Sequence, residues 1–449
     1  MEYKKNDICE IAITSLGASG EGVGTIEGFT VFIEGALPGE TVKAKLTVLK
    51  KNYGKGELLE ILKKSEDRVI PVCPLFDRCG GCQIMHLSYE GQLKVKKQKV
   101  YDALTRIGKL TDITVEDCVP SPQKLHYRNK MQLPVTSTEG ALTIGLFEKM
   151  SHTVVPVDEC HIHCEEGEKV YKNICTLLQK SDILPYDRIS GKGELRHLIM
   201  KTAVNSGKTL VIFVSAGEKT EKFKSLAAEL IKISPNIEGI VLNIHREQTN
   251  FVTGHKWMTL FGEGRLSETI CGLHFHISPA SFFQVNTLQA ENLYKAVTEC
   301  ADIDAETSVL DAYCGVGTFS LIAAAKAKKV VGIECVPEAI ADAKENAKNN
   351  GITNCTFVCG TTEELIKAHS SCDVVILNPP RKGCEKIVLE TLLKTEPKRI
   401  VYVSCDPATL ARDLALLTPK YTIEAIRPFD MFPQTMHVET VVKLVLRRN

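Results

Sequence analysis

SVLDAYCGVGTFSLIAAAKAKKVVGIE, residues 308–334, decides the fold. It opens as an apolar run that ends near an acid, Asp311, and turns through a loop holding Gly315 and Gly317. A helical stretch follows, and a second apolar run, KVVGIE, ends at Glu334, nineteen residues past Gly315. DVVILNPPRKG (373–383) and RIVYVSCDPATLARDL (399–414) repeat the pattern of strand, loop and helix. That order predicts a doubly wound parallel sheet, because parallel neighbours need crossover connections. Ligands of such sheets gather at the carboxyl ends of the strands. Glycines at 315 and 317 let the backbone approach a ligand closely. Glu334 is placed to accept hydrogen bonds from ribose hydroxyls, while the missing third glycine counts against NAD.

A lone G-x-G is a tight turn in any α/β fold. Joined to Asp311, Glu334 and Asn378-Pro379-Pro380-Arg381, it resembles the S-adenosylmethionine site of Rossmann-like methyltransferases. Ahead of it, residues 279–300 (PASFFQVNTLQAENLYKAVTEC) are expected to form one long helix leading into this domain. Residues 125–270 alternate strands and helices and predict an α/β layer. Residues 1–62 show short apolar alternations divided by Gly-rich turns, which predicts a small β-barrel. Between them, residues 91–110 form a helical pattern in which Lys94, Lys96, Lys97, Lys99, Arg106 and Lys109 face Asp102 alone. That stretch is either a basic binding patch or a solvated helix face.

The 449 residues carry a formal net charge of zero, so no global field favours nucleic acid. The N-terminus lacks a signal-peptide pattern and no apolar run is long enough to span a bilayer. A cytoplasmic protein is expected, with no membrane association and no obligate protein partner. The 17 cysteines then do not read as a disulfide framework. Cys73, Cys79 and Cys82 form C-x5-C-x2-C in a Pro/Gly-rich loop, and Cys160 lies in PVDECHIHC. Four thiolates suit a zinc ion or an iron–sulfur cluster, and Cys164 or a nearby histidine could replace Cys160.

Cys405 sits where the run RIVYV gives way to a helix beginning after Asp406-Pro407. A helix N-terminus favours the thiolate, the reactive form. Glu439 lies at the mouth of a closing β-hairpin. A thiol and a carboxylate beside a methyl-donor site fit one chemistry. Uracil C5 is too weak a nucleophile to attack a methyl sulfonium. A thiolate added to C6 makes C5 nucleophilic, and a base must then remove the C5 proton. Cys405 would be the nucleophile and Glu439 the base.

With these motifs in order, the chain resembles the RNA uracil-C5 methyltransferases over essentially its whole length. The resemblance implies a TRAM (OB-like) RNA-binding barrel at 1–62, a central α/β domain with a 4Fe–4S cluster at 63–272, and a Rossmann-like S-adenosylmethionine-dependent methyltransferase domain at 273–449. It implies Cys73, Cys79, Cys82 and Cys160 as cluster ligands, which selects the cluster over zinc. It implies donor contacts from Gln284 in SFFQVN, Tyr313 in DAYCGVGTF, Glu334 in GIE and Asn378 in NPPRKG. SCDPATLARDL and FPQTMHVETV match the motifs of the nucleophile, Cys405, and the base, Glu439. The family often has Asp where this chain has Asn378; an amide still accepts and donates hydrogen bonds. RNA is the implied partner. The barrel with cluster cysteines is more typical of the 23S ribosomal RNA enzymes, with transfer RNA as the alternative and a non-catalytic RNA-binding factor as the other class. The target uracil must leave its stack to reach Cys405.

Overall fold

The computed structural model describes residues 3–138, 140–218, 220–249 and 251–447. Five strands come first: β1 (Ile8–Leu16), β2 (Gly22–Ile26), β3 (Phe29–Ile33), β4 (Thr41–Leu49) and β5 (Tyr53–Lys63). They close into a barrel in the order β1-β2-β3-β5-β4. Phe29, Val31 and Ile33 of β3 and Val42, Ala44 and Leu46 of β4 are buried, every second residue, so one face of each strand fills the interior. Closure leaves no free sheet edge.

α1 (Tyr89–Arg106) follows. A mixed sheet is then built from β6 (Lys130–Thr138), β7 (Ala141–Phe147), β8 (Val154–Pro156), β9 (Leu195–Thr202), β10 (Thr209–Ser215), β11 (Ile237–Ile244) and β12 (Lys256–Gly262). Its order is β12-β11-β10-β9-β6-β7-β8, and only β10 and β11 pair in parallel. α2 (Glu165–Lys180) and α3 (Glu221–Ile233) cover one face, burying Ile174, Leu178, Phe223 and Leu230 against Leu198, Val211 and Phe213.

The hairpin β13 (Leu266–Ile270) and β14 (Leu273–Ile277) and helix α4 (Thr287–Ala301) lead into the last layer. That layer runs β15 (Ser308–Ala312), α5 (Thr318–Ala324), β16 (Lys329–Glu334), α6 (Pro337–Asn349), β17 (Cys355–Cys359), α7 (Thr362–His369), β18 (Val374–Leu377), α8 (Lys386–Thr395), β19 (Arg399–Ser404), α9 (Pro407–Leu417), β20 (Tyr421–Phe429) and β21 (Glu439–Leu446). The sheet order is β17-β16-β15-β18-β19-β21-β20. Every pair is parallel except those of β21, which runs against β19 and β20. Strand order reverses between β15 and β18, the switch point where ligands of such sheets bind. Side chains alternate across it: Val309, Ile376 and Val401 face α4 and α5, whereas Leu310, Val375 and Tyr402 face α8 and α9.

Two expectations change. Residues 279–286 are not helical; α4 starts at Thr287, with the Asn286 side chain capping Gln289 N. Longer-range bonds hold the irregular segment instead. Ser278 and Ser281 donate to Asp342, and Lys201 Nζ donates to the carbonyls of Ser278 and Ser281. The basic stretch of α1 is not one exposed patch either. Val100 and Leu104 pack into the core of the last sheet, and Lys96 on the same side is fully buried in an ion pair with Asp430, Nζ to Oδ1 2.5 Å. Lys97 pairs with Asp117 and Arg106 with Asp102, which leaves Lys94 and Lys109 exposed without these contacts. Removing one member of a buried pair strands the other charge, at a cost of about 3–5 kcal/mol. Asp430→Asn is therefore expected to lower the unfolding free energy by that order, measured by equilibrium denaturant unfolding. A change below about 1 kcal/mol would mean the pair carries little stability.

Candidate active site

Glu334 ends β16, Tyr313, Asn378 and Cys405 follow β15, β18 and β19, and Glu439 begins β21. These five strands are successive neighbours in the sheet, so the residues form a row along one end of it. Glu439 belongs to the row because β21 is antiparallel and starts where the others finish. Ser404 is opposite Thr440 in the register of β19 and β21, and one step further brings Cys405 beside Glu439.

The donor end is shaped by backbone. Gly315 has φ 55°, and a Cβ there would face open space. Gly317 has φ 86°, and a Cβ would lie 2.9 Å from the Phe357 ring. Tyr313 holds φ 72° without being glycine, a conformation sparsely populated for an aromatic residue. Glu334 Oε2 accepts from Gly315 N at 3.1 Å and Oε1 accepts from Val336 N at 2.9 Å, which fixes the carboxylate at the loop mouth. Asp311 is fully buried; Ser320 Oγ donates to its Oδ2 at 2.5 Å, and Oδ1 has no partner among the described residues. Burial pushes its carboxyl up to about 7. Asn378 is half-buried at the end of β18. Gln284 is buried before α4, and Asn129 Nδ2 donates to its carbonyl at 2.9 Å. An open glycine cradle, a carboxylate held at the loop mouth and a buried acid with one free oxygen fit a nucleoside-bearing donor.

At the other end, Glu439 is 3% exposed. Burial pushes its carboxyl up to about 8, opposed by Arg381. Cys405 is half-buried; burial and then the charge of Glu439 push its thiol up to about 11, with Arg381 opposing. The expected lowering by the α9 N-terminus is absent. Asp406 is the N-cap and its carboxylate accepts from Ala408 N and Thr409 N, so those donors are taken and the nearby negative charge disfavours a thiolate. Both groups therefore rest mainly neutral near pH 7. Arg381 acts on both and favours their charged forms. Its place in NPPRKG, three residues after Asn378, was the sequence signal for it.

The four cysteines also come together. Burial and then the charges of Cys160, Cys79 and Cys73 raise the Cys82 thiol. Cys73, Cys82 and Cys160 pack against Phe76, Met85, Tyr127 and Ile162. Their loop is tied to the end of β7 by Gly80 N donating to Phe147 O at 2.9 Å. Cys164 is separate: it occupies the N-cap position of α2, and the neighbouring His163 Nδ1 lies 2.8 Å from Glu168 Oε1. Among the described residues no group of three or more His, Cys, Asp or Glu side chains is arranged to hold a metal ion. The donor set, four thiols with Arg128 and Lys149 nearby to offset negative charge, has the chemistry of a thiolate-ligated cluster.

Among the described residues no helix is long and apolar enough to cross a membrane. Residues 88–448 match the profile of the tRNA (uracil-5-)-methyltransferases, and residues 4–59 match the TRAM domain. An uncharacterized RNA methyltransferase of Halalkalibacterium halodurans is 42% identical over 99% of this chain and 98% of its own length. One from Caldanaerobacter subterraneus is 44% identical over 96% of each. The crystal structure of Pyrococcus abyssi tRNA (uracil-54, C5)-methyltransferase in complex with S-adenosyl-L-homocysteine superposes with TM-score 0.78 and 27% identity, covering 97% of this chain and 100% of that one. With its small barrel ahead of an α/β methyltransferase fold, the chain belongs to the tRNA (uracil-5-)-methyltransferase family and carries a TRAM domain at its N-terminal side.

Proposed function

We propose that the protein methylates uracil C5 in 23S ribosomal RNA, with Cys405 as nucleophile, Glu439 as base and Gln284, Tyr313, Glu334 and Asn378 around the methyl donor. The observation that carries this reading is the row of strand ends, which puts the donor loop at one side and the Cys405–Glu439 pair at the other. S-adenosylmethionine supplies an electrophilic methyl group. Cys405 Sγ, its proton passed to solvent, bonds to uracil C6 as the C5–C6 double bond becomes an enolate, and C5 takes the methyl as the donor's methyl–sulfur bond breaks and S-adenosylhomocysteine leaves. Glu439, as carboxylate, then removes the C5 proton while the bond from C6 to sulfur breaks, which restores the ring double bond and frees the thiolate. Arg381 favours the two anionic forms that these steps require.

The working division is a barrel at 1–62, a central part at 63–272 and a methyltransferase part at 273–449, with α1 packed across the last boundary. Cys73, Cys79, Cys82 and Cys160 would hold a 4Fe–4S cluster as an organising element, because methyl transfer leaves no net electrons on the protein. Protein purified without oxygen is expected to be brown, with about four irons per chain. One zinc and no iron by metal analysis would contradict the assignment.

The cysteine array joined to the barrel supports 23S RNA. The likeness to the Pyrococcus abyssi enzyme supports transfer RNA as the second reading. Labelled S-adenosylmethionine and total RNA from a strain lacking the gene separate them. Label in 5-methyluridine of large ribosomal RNA is the expected result. Label in the transfer RNA fraction would keep the chemistry and reverse the choice of substrate.

A further inference from the structure

β20 ends at Phe429 and β21 begins at Glu439, so nine residues cross between them without a strand ladder. Buried carbonyls in such a segment need partners from elsewhere. Asn286 Nδ2 donates to Met431 O at 3.2 Å, and Lys96 Nζ to Phe432 O at 3.0 Å. Tyr127 Oη donates to Pro433 O at 3.0 Å, and Lys99 Nζ to Met436 O at 2.9 Å. Gln434 O takes two donors, the backbone N–H groups of Gln83 and Ile84, both at 3.1 Å. Those two residues immediately follow Cys82.

Gln434 is the centre of the lacing. It is buried, and its φ of 71° is the left-handed region that glycine or asparagine fills more readily. Its amide explains why glutamine is held there. Gln434 N donates to Gln92 Oε1 and Gln92 Nε2 donates to Gln434 Oε1, both at 2.9 Å. Gln434 Nε2 also donates to Lys124 O at 3.1 Å. Met436 packs with Ile84, Leu87 and Leu37 of the barrel. A strained residue pinned by buried partners, five positions before Glu439, points to function. Cys405 is placed independently, by β19 and the Asp406 cap.

We propose that the Gln434–Gln92 amide pair, anchored on the cysteine loop, consists of positioning residues that aim Glu439 at the C5 proton, so that its loss slows release of the methylated RNA and leaves methyl transfer largely intact. The inference rests on Glu439 being the base. The test presents total RNA from a strain lacking the gene, with labelled S-adenosylmethionine, to wild type, Q434G, Q92L and E439Q. Denaturing gels read covalent protein–RNA adduct against released methylated RNA, and thermal melts check folding. Q434G keeps the left-handed backbone at no steric cost. The ratio of adduct to released product is expected to rise about ten-fold in Q434G and Q92L, since misplacement by a fraction of an ångström slows a step by that order. Q434N, which keeps an amide, is expected to recover part of the loss. A wild-type ratio in Q434G and Q92L beside a strong E439Q adduct would overturn this inference alone. Joint loss of methyl transfer and adduct in both variants would also overturn it. An E439Q enzyme that forms no adduct would overturn the base assignment and this inference with it.

Discussion

Cys405→Ala is expected to remove methyl transfer, with a fall on the order of 10⁴-fold or more, because no other group can activate C5 once the nucleophile is gone. Binding of S-adenosylmethionine is expected to stay within about two-fold, because Gly315, Glu334 and Asn378 are positioned by β15, β16 and β18 and not by the Cys405 side chain. Fold effects should be small as well. The side chain is half-buried, and the α9 cap is made by Asp406 and not by the thiol. Single-turnover transfer to RNA and donor binding, measured on the same preparation, check both halves. Substantial residual turnover would remove Cys405 as the nucleophile, whereas no transfer by the wild-type protein would bring forward the reading in which it binds RNA without modifying it.

Glu439→Gln is expected to act later in the reaction. The amide is close to isosteric, so it fits the buried position, and it cannot accept the C5 proton. Methylation can proceed while elimination stalls, and a covalent protein–RNA adduct accumulates in place of free product. The wild-type carboxyl also sets a pH dependence. Burial holds it up to about 8, so it is mainly protonated below that pH and gains its basic form as pH rises. Turnover limited by elimination therefore rises with pH up to about 8 in the wild type, and that rise is absent from E439Q. A wild-type rate that is flat from pH 6 to 8 would contradict the assignment of Glu439 as the limiting base.

Local sequence carried the elements whose signals are local. The Gly315–Gly317 loop, the strand ends at Glu334 and Asn378, and the Cys405-Asp406-Pro407 junction could each be placed by strand, turn and cap signals within a few residues. The pairing of Cys405 with Glu439 could not. It depends on β21 entering between β19 and β20 in antiparallel sense, which is decided by tertiary pairing and not by the composition of either strand. The error over residues 279–286 has the same origin, since Asp342, Lys201 and Asn129 hold that segment from far along the chain. Lys96 differs, because its signal was present and outweighed. Gln92, Lys96, Val100 and Leu104 recur every fourth residue and form the buried side of α1, so Lys96 lay on the core face while being counted with the surface lysines. For the cysteines, the three in 73–82 were legible as a loop array. Cys160 was one of several candidates for the fourth position, beside Cys164 and the nearby histidines, because it lies far along the chain and only the resemblance selected it.

The central claim is a covalent bond between one particular cysteine and a methylated uracil. The most direct measurement is to trap the E439Q adduct with labelled donor, digest it with nuclease and protease, and sequence the modified peptide by mass spectrometry. The expected product is the peptide containing Cys405 carrying a 5-methyluridine nucleotide. A modified nucleotide on any of the other 16 cysteines of the 17, or an adduct at Cys405 without the methyl group, would contradict the account.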